Sequence, residues 1–220
     1  LSFPDLGSYT INVQWKAPEK PYGEIKAYYV EVTELETQIS YEREVFWTNA
    51  TFLDLSPFTP YNVSVRTINH PNPTSKLYGG IGEAVTNIVT TLPLAGQQVT
   101  DIKFHDIGTD SITVSWRPPE PPHGEIKSYH VTARKLLTKE LVKSETTTNG
   151  TTLRNLIPDT WYAIAFETEN MQLNGHGGGL GEAVIKTLST KPLGKCCLFL
   201  MHTSGIGNIF KEPDGLLCQK

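Results

Sequence analysis

The sequence predicts an all-β protein made of two tandem antiparallel sandwiches, and three observations support this prediction. Apolar and polar residues alternate over short stretches, as they do in half-buried strands. Clusters of proline and glycine separate these stretches, and none has a convincing helical period. The whole pattern also occurs twice along the 220 residues, a length that suits two small domains.

The internal repeat covers most of the chain. Placing Trp116 on Trp15 superposes Gly124-Glu125-Ile126-Lys127 on Gly23-Glu24-Ile25-Lys26. Other residues match at the same spacing: Tyr28 with Tyr129, Val30 with Val131, Pro57 with Pro158, and Tyr61 with Tyr162. Two copies of one domain therefore follow each other in the chain.

The repeat also sets the predicted domain boundaries. We expect one domain over residues 1–94 and a second over residues 95–193. Phe3 aligns with Phe104, so the first domain begins late and its first strand is expected to be truncated. Residues 194–220 depart from the repeat, and we expect this tail to be irregular and poorly ordered.

A short linker, residues 92–98, joins the two domains. It contains Pro93, whose fixed backbone angle restricts how the chain leaves the first domain. Short links with a proline give a semi-rigid connection rather than a loose tether. We therefore expect the spacing between the domains to be part of the function.

Large aromatic residues at inward-facing positions are predicted to form the two cores. A buried aromatic side chain removes roughly 150–250 Å² of surface from water. We interpret these residues as scaffold rather than as ligands for another molecule. They are Trp15, Tyr28 and Tyr61 in the first domain and Trp116, Tyr129 and Tyr162 in the second.

The combined motifs resemble those of fibronectin type III domains. They are a Trp-x-x-Pro run, a Gly-x-Ile-x-x-Tyr-x-Val run, the Leu-x-Pro-x-Thr-x-Tyr-x-Val-x-Val run of residues 55–65, and a late Gly-Glu-Ala. The resemblance implies two seven-stranded immunoglobulin-like sandwiches, in which Tyr61 and Tyr162 open the sixth strand as tyrosine corners. It also implies no disulfide between the sheets, and residues 1–195 contain no cysteine.

Charge and composition argue against several function classes. The 19 basic and 23 acidic residues give a net charge of −4, which disfavours nucleic-acid binding. No apolar window reaches the roughly 18 residues that a membrane span needs. The histidines and carboxylates show no catalytic or metal-ligand spacing, and Cys196, Cys197, His202 and Cys218 match no closed zinc pattern. We predict no catalytic, cofactor or metal site.

The glycine-rich run of residues 175–181 has the composition of a phosphate-binding loop but not its context. It lacks the Gly-Lys-Ser/Thr ending, and a strand rather than a helix is predicted to follow it. We interpret it as a flexible loop between the sixth and seventh strands, and the resemblance to fibronectin type III domains implies that this loop contacts a partner. The candidate contact residues are Lys76, Leu77 and Tyr78 in the first domain and Asn174 and His176 in the second.

Three glycosylation sequons begin at Asn49, Asn62 and Asn149. Asn62 has outward strand parity, and the other two lie in polar, turn-like stretches. We therefore expect glycosylation at one or more of these asparagines.

A group of basic residues in the second domain suggests a further partner class. Such a strip would attract a sulfated glycan or an acidic protein surface, although a solvated sheet face is the simpler interpretation. The residues are Lys127, Arg134, Lys135, Lys139 and Lys143.

These features predict a pair of non-catalytic extracellular modules from a cell-surface receptor or adhesion protein, for example one similar to receptor tyrosine phosphatases. The pair would act as a spacer and as a surface for a protein partner. Two alternatives stay open. One is an intracellular structural array of the muscle-protein type, in which the sequons would be inert, and the other is a set of accessory domains in a secreted carbohydrate-active enzyme.

Overall fold

The computed structural model describes residues 1–19, 21, 23–71 and 79–194, which form two β-sandwiches in tandem. The strands of the first sandwich are β1 (Ser2–Leu6), β2 (Ile11–Gln14), β3 (Ile25–Glu34), β4 (Ser40–Val45), β5 (Asn49–Phe52), β6 (Pro60–Asn69) and β7 (Val85–Thr90). Those of the second are β8 (Thr100–Ile107), β9 (Ile112–Arg117), β10 (Ile126–Lys135), β11 (Leu141–Thr146), β12 (Gly150–Leu153), β13 (Trp161–Asn170), β14 (Gly179–Leu180) and β15 (Val184–Ser189).

Each sandwich consists of two antiparallel sheets. In the first domain the strand orders are β1-β2-β5 and β4-β3-β6-β7. The second domain repeats this arrangement with β12-β9-β8 and β11-β10-β13, where both β14 and β15 pair with β13. The predicted fold class is confirmed. The two-residue strand β14 is an addition to the seven strands expected for that domain.

The alternating sequence pattern determines which side chains enter the core. In the first domain, Val30 lies opposite Val65 and Val32 lies opposite Val63 on β3 and β6. All four side chains are buried, because residues two apart on a strand point to the same face. Glu31 and Ser64, which lie between them, belong to the opposite face of the sheet, where Glu31 is half-buried and Ser64 is buried.

The two repeated tryptophans are buried to different extents. Trp116 lies within β9 and is 3% exposed, whereas Trp15 follows the end of β2 and is only partly buried. Both indoles meet a tyrosine edge to face, Trp15 on Tyr28 and Trp116 on Tyr129, each at 5.3 Å between ring centroids. Buried Val99 belongs to the core of the second domain, and β8 is longer than β1, so Trp116 is the better covered.

The tyrosines at the sixth strands bond to the backbone a few residues upstream. The hydroxyl of Tyr61 accepts a hydrogen bond from the Ser56 amide, and that of Tyr162 accepts one from the Ile157 amide, both at 2.9 Å. Each ring is buried while its hydroxyl satisfies a turn amide, as a tyrosine corner requires.

A buried threonine reinforces the same corner in each domain. Thr190 donates a hydrogen bond to the Ile157 carbonyl at 2.6 Å and accepts one from the Thr160 amide at 3.1 Å. Thr91 makes the equivalent bonds to the Ser56 carbonyl and the Thr59 amide in the first domain. In each domain the threonine therefore links the turn before the sixth strand to the segment that follows the last strand.

Candidate interaction surfaces and the interdomain linker

The linker is hydrogen-bonded to the first domain. Leu92 donates its amide to the Gly7 carbonyl at 3.0 Å, and its own carbonyl accepts a bond from the Phe58 amide at 3.2 Å. The Ser8 hydroxyl also donates to the Pro93 carbonyl at 3.4 Å. The chain is therefore fixed to the sandwich at the point where it leaves it.

The following residues are bonded in the same way to the second domain. Leu94 donates its amide to the His123 carbonyl at 2.9 Å, and Gly178 donates its amide to the Pro93 carbonyl at 2.9 Å. Gly96 donates to the Gly179 carbonyl at 3.0 Å. We call Pro93, Leu94, Gly96 and the loop glycines Gly178 and Gly179 the linker clasp.

Buried Asn170, at the end of β13, supports the clasp from within the second domain. Its side-chain amide donates to the Leu94 carbonyl at 3.1 Å and to the Pro122 carbonyl at 2.9 Å. Asn170 is 1% exposed, and these two hydrogen bonds satisfy its buried side-chain amide. The residue ties the linker to the loop between β9 and β10.

The glycine-rich run contributes to the clasp and also forms an exposed tip. Asn174 and Gly175 both have positive φ values, 52° and 81°, and Leu173 and His176 exchange two backbone hydrogen bonds around them. This is the geometry of an Asn-Gly hairpin turn. The loop predicted to be flexible therefore has a defined hydrogen-bonded turn at its tip.

Close backbone contacts require the glycines after the tip, with the linker at Gly177 and with the beginning of the same loop at Gly178. A Cβ on Gly177 would lie 2.5 Å from the Pro93 carbonyl oxygen, and one on Gly178 would meet the Met171 carbonyl oxygen. Both residues also have φ values near 60°, which disfavour any side chain. Gly177 allows the loop to lie against the linker, and the strands β14 and β15 follow the loop rather than a helix.

The candidate partner-contact residues fall into two groups. Asn174 and His176 are exposed at the loop tip of the second domain. Lys76, Leu77 and Tyr78 lie outside the described residues, as does the tail from residue 195 onward. Partner contact by these loops stays a prediction.

The outer face of the second domain is the exposed side of the sheet formed by β10, β11, β13 and β15. A cluster of charged residues occupies one end of it. Glu169 uses separate oxygens for two contacts, an ion pair with Lys127 at 2.8 Å and a hydrogen-bond contact with His130 Nε2 at 2.9 Å. These two contacts, with the Lys127 hydrogen bond the larger cause, hold the pKa of the Glu169 carboxyl below its usual range.

The basic strip predicted on this domain is interrupted by carboxylates. Lys127 pairs with Glu169, and Lys135 lies 3.8 Å from Glu140. The strip is therefore not a continuous row of free cations, which weakens its interpretation as a sulfated-glycan site. The other three residues of the strip are exposed: Arg134 on β10, Lys143 on β11 and Lys139 in the turn between these strands.

The equivalent outer face of the first domain has a different chemical character. Tyr29 stands where the second domain has His130, and it faces Glu44 on β4 and Arg66 on β6. The interaction of the Tyr29 hydroxyl with the Glu42 carboxylate is the main reason that the pKa of Tyr29 rises to about 12. The two copies thus present different surfaces from one scaffold.

The sequon asparagines occupy different positions on the sandwiches. Asn49 is exposed at the start of β5, and Asn149 is exposed just before β12. Asn62 is half-buried on β6, opposite Thr33 and Ile88 of the neighbouring strands. A glycan on Asn49 or Asn149 would extend from a sheet edge into solvent.

In the described part of the chain, no helix has both the length and the apolar character for crossing a bilayer.

Comparison with known proteins identifies the domain type. Residues 1–79 and 97–179 match the fibronectin type III domain. The chain is 28% identical over 196 residues to human phosphatidylinositol phosphatase PTPRQ, covering 87% of this chain and 8% of that protein. It is 27% identical over 185 residues to human neogenin, covering 79% of this chain and 12% of that protein.

A third relative is the ephrin type-A receptor 4-A of Xenopus laevis, which is 30% identical over 152 residues, covering 67% of this chain and 15% of the receptor. The chain thus corresponds to a small part of each of these relatives. The predicted resemblance is confirmed: the chain belongs to the fibronectin type III domain family and contains two tandem copies of that domain.

Proposed function

We propose that this chain is a non-catalytic extracellular part of a cell-surface receptor or adhesion protein. In this role it holds two binding surfaces at a set separation. The similarity to a receptor and to neogenin supports the context. The fibronectin type III domains of the chain supply the binding surfaces.

The linker clasp is the observation that carries the spacer role. Residues 92–96 bond to the Gly7 carbonyl on one side and to His123, Gly178 and Gly179 on the other. Each domain also has its own separate hydrophobic core. Hydrogen bonds on both sides of a short segment restrict its backbone, so the domains keep a preferred relative orientation.

The outer sheet faces support the binding role. The face of the first domain contains Tyr29 beside several carboxylates. The face of the second combines the charged residues Lys127 and Glu169 with exposed Trp161 and Ile185. Different chemistry on equivalent faces gives each domain its own recognition surface, and a protein with both polar and apolar groups fits the second.

Distance measurements between the two domains test the spacer role. Spin labels at Glu36→Cys and Thr138→Cys place one probe in the equivalent exposed turn of each domain, in the full chain with Cys196, Cys197 and Cys218 changed to serine. We expect a single narrow distance distribution by double electron–electron resonance. A distribution as broad as that of a flexible tether would refute the spacer role.

Glycosylation tests the extracellular context against the intracellular alternative. We expect the chain secreted from mammalian cells to run faster on a gel after glycosidase treatment. Asn49→Gln and Asn149→Gln should each remove one mobility step, because both asparagines are exposed at strand ends. Asn72→Gln is the control, because Pro73 makes that asparagine a non-acceptor. An unchanged mobility would remove this support and favour an intracellular array.

A further inference from the structure

Three potential metal ligands converge on the outer face of the second domain. They are His130 on β10, Glu145 on β11 and Glu169 on β13, which we call the His130 cluster. Their ligand atoms all lie within 4.8 Å of one another. His130 is directly opposite Glu145 in the strand register, while Glu169 lies diagonally across from it, opposite Ser128.

The neighbours of Glu169 orient its carboxylate for this role. One oxygen is held by the Lys127 ammonium at 2.8 Å, and the other lies 2.9 Å from the His130 Nε2 atom. The Ser128 hydroxyl lies 3.4 Å from that second oxygen and 3.2 Å from Nε2. One oxygen of Glu169 therefore faces the His130 imidazole, while the other is bonded to Lys127.

The ligand types select the class of metal. We propose that the His130 cluster binds a divalent transition-metal ion of the zinc type through one imidazole nitrogen and two carboxylate oxygens. Zinc accepts this donor set with a water in the fourth position, whereas an imidazole is a poor ligand for calcium or magnesium. Adjacent strands of a sheet hold the three donors on a rigid support.

The burial and the charge of the His130 cluster set the expected affinity. The side chains of His130 and Glu169 are 31% and 21% exposed and Glu145 is exposed, so an ion can enter from solvent. The Lys127 ammonium beside Glu169 repels a cation, and we therefore expect micromolar rather than nanomolar affinity. Replacing Lys127 by glutamine should tighten binding for the same reason.

The first domain provides a natural comparison for this inference. It retains Glu44 at the position of Glu145 and Lys26 at the position of Lys127. However, Tyr29 replaces the imidazole, and Ile68 occupies the strand position of Glu169. Two of the three ligands are missing there, so within the two described sandwiches we expect zinc to bind the second domain and not the first.

Titration with zinc alone tests the proposal. The full chain is used with Cys196, Cys197 and Cys218 changed to serine, so that thiolates do not compete. At about pH 7.5, where an imidazole is mostly neutral, calorimetry should show one site. His130→Ala and Glu169→Gln should each weaken zinc binding by at least about tenfold, since a three-ligand site loses one donor.

Two matched variants separate a built site from general surface binding. His105→Ala removes another imidazole of the same domain, and Glu44→Gln removes the equivalent carboxylate of the first domain. Both should retain the affinity of the parent chain. Circular dichroism and melting curves check that every variant is folded.

In NMR spectra, zinc should shift the imidazole resonances of His130 before those of the other histidines. Absence of binding at a hundredfold excess of zinc over protein would overturn the proposal. Equal affinity in the parent, His130→Ala and Glu169→Gln chains would also overturn it.

Discussion

The carbonyl oxygen of Pro93 accepts a hydrogen bond from the amide of Gly178 over 2.9 Å. This bond joins a linker residue to the loop between the last long strands of the second domain. The same carbonyl lies 3.4 Å from the hydroxyl of Ser8 in the first domain. A single peptide group thus contacts both sandwiches, and substitutions near it should change their relative orientation without disturbing either core.

Replacing Gly177 by alanine should loosen the linker clasp. The new methyl group would lie 2.5 Å from the Pro93 oxygen and 3.0 Å from the Leu92 Cβ atom, so the loop or the linker must move. We expect a broader interdomain distance distribution in the spin-label experiment. Melting curves should show both domains still folded.

Gly175→Ala is the matched control for this variant. Gly175 also has positive φ, and both alanines therefore carry a backbone cost of about 1–2 kcal/mol. A Cβ at Gly175 meets nothing within 4 Å, so only the Gly177 variant disturbs the linker. Equal broadening in the two variants would show that the loop contact does not hold the domains.

Tyr162→Phe should destabilise the second domain by about 1–2 kcal/mol. The change removes the hydroxyl that accepts the hydrogen bond of the Ile157 amide and leaves that amide without its partner. The ring remains, so the packing of the core is preserved. Urea unfolding followed by NMR signals specific to each domain measures the loss.

The parallel and control variants make this prediction specific. Tyr61→Phe should destabilise the first domain to a similar extent, because its hydroxyl makes the equivalent bond. Tyr129→Phe changes another buried tyrosine whose ring packs on Trp116, and its effect should be smaller. An equal loss for Tyr129→Phe would argue that the corner hydrogen bond is unimportant.

The two tryptophans should differ in their contribution to stability. Trp116→Ala removes a 3% exposed indole that meets both Tyr129 and Phe166, and we expect a loss of about 3–5 kcal/mol. Trp15 is only partly buried, so Trp15→Ala should destabilise its own domain by less. Domain-resolved urea unfolding compares the two values. A larger loss at Trp15 would contradict the difference in burial.

The repeat made most of the fold predictable from the sequence. Alternating residues such as Val30 and Val32 have only one way to bury an apolar face in a strand, so periodicity and the repeated motifs were sufficient. The partial exposure of Trp15 was not predicted, because it depends on how neighbouring strand residues cover the ring. The alternation of apolar and polar residues predicts which face of a sheet a side chain occupies. It does not predict how completely neighbouring residues cover that side chain.

The sites were less predictable because they join residues distant in sequence. The Asn170 side-chain amide donates a hydrogen bond to the Leu94 carbonyl, and neither the repeat nor a motif predicts that contact. His130, Glu145 and Glu169 likewise lie on three strands, and only the strand register brings them together. The expectation of no metal site considered only the spacing along the chain, where these residues show no pattern, and the zinc titration tests it against the proposed site.

The ionisation of Tyr29 gives the last prediction. Its hydroxyl interacts with the Glu42 carboxylate, and deprotonation would bring two negative charges close together, so its pKa rises to about 12. Glu31 raises the pKa further, and Arg66 opposes the shift. In Glu42→Ala the pKa should fall towards the ordinary value of about 10. The Cζ chemical shift of Tyr29 in a pH titration reports it.

Glu44→Ala is the control, because Glu44 faces Tyr29 across the strands but is paired with Lys26 at 3.6 Å. It should leave the Tyr29 pKa near 12. A folded-state pKa above the unfolded value means that the unfolded chain loses this proton first. The interaction therefore stabilises the first domain below about pH 10, and this contribution disappears as the pH rises towards 12. Identical titrations for the two alanine variants would show that Glu42 is not the partner of Tyr29.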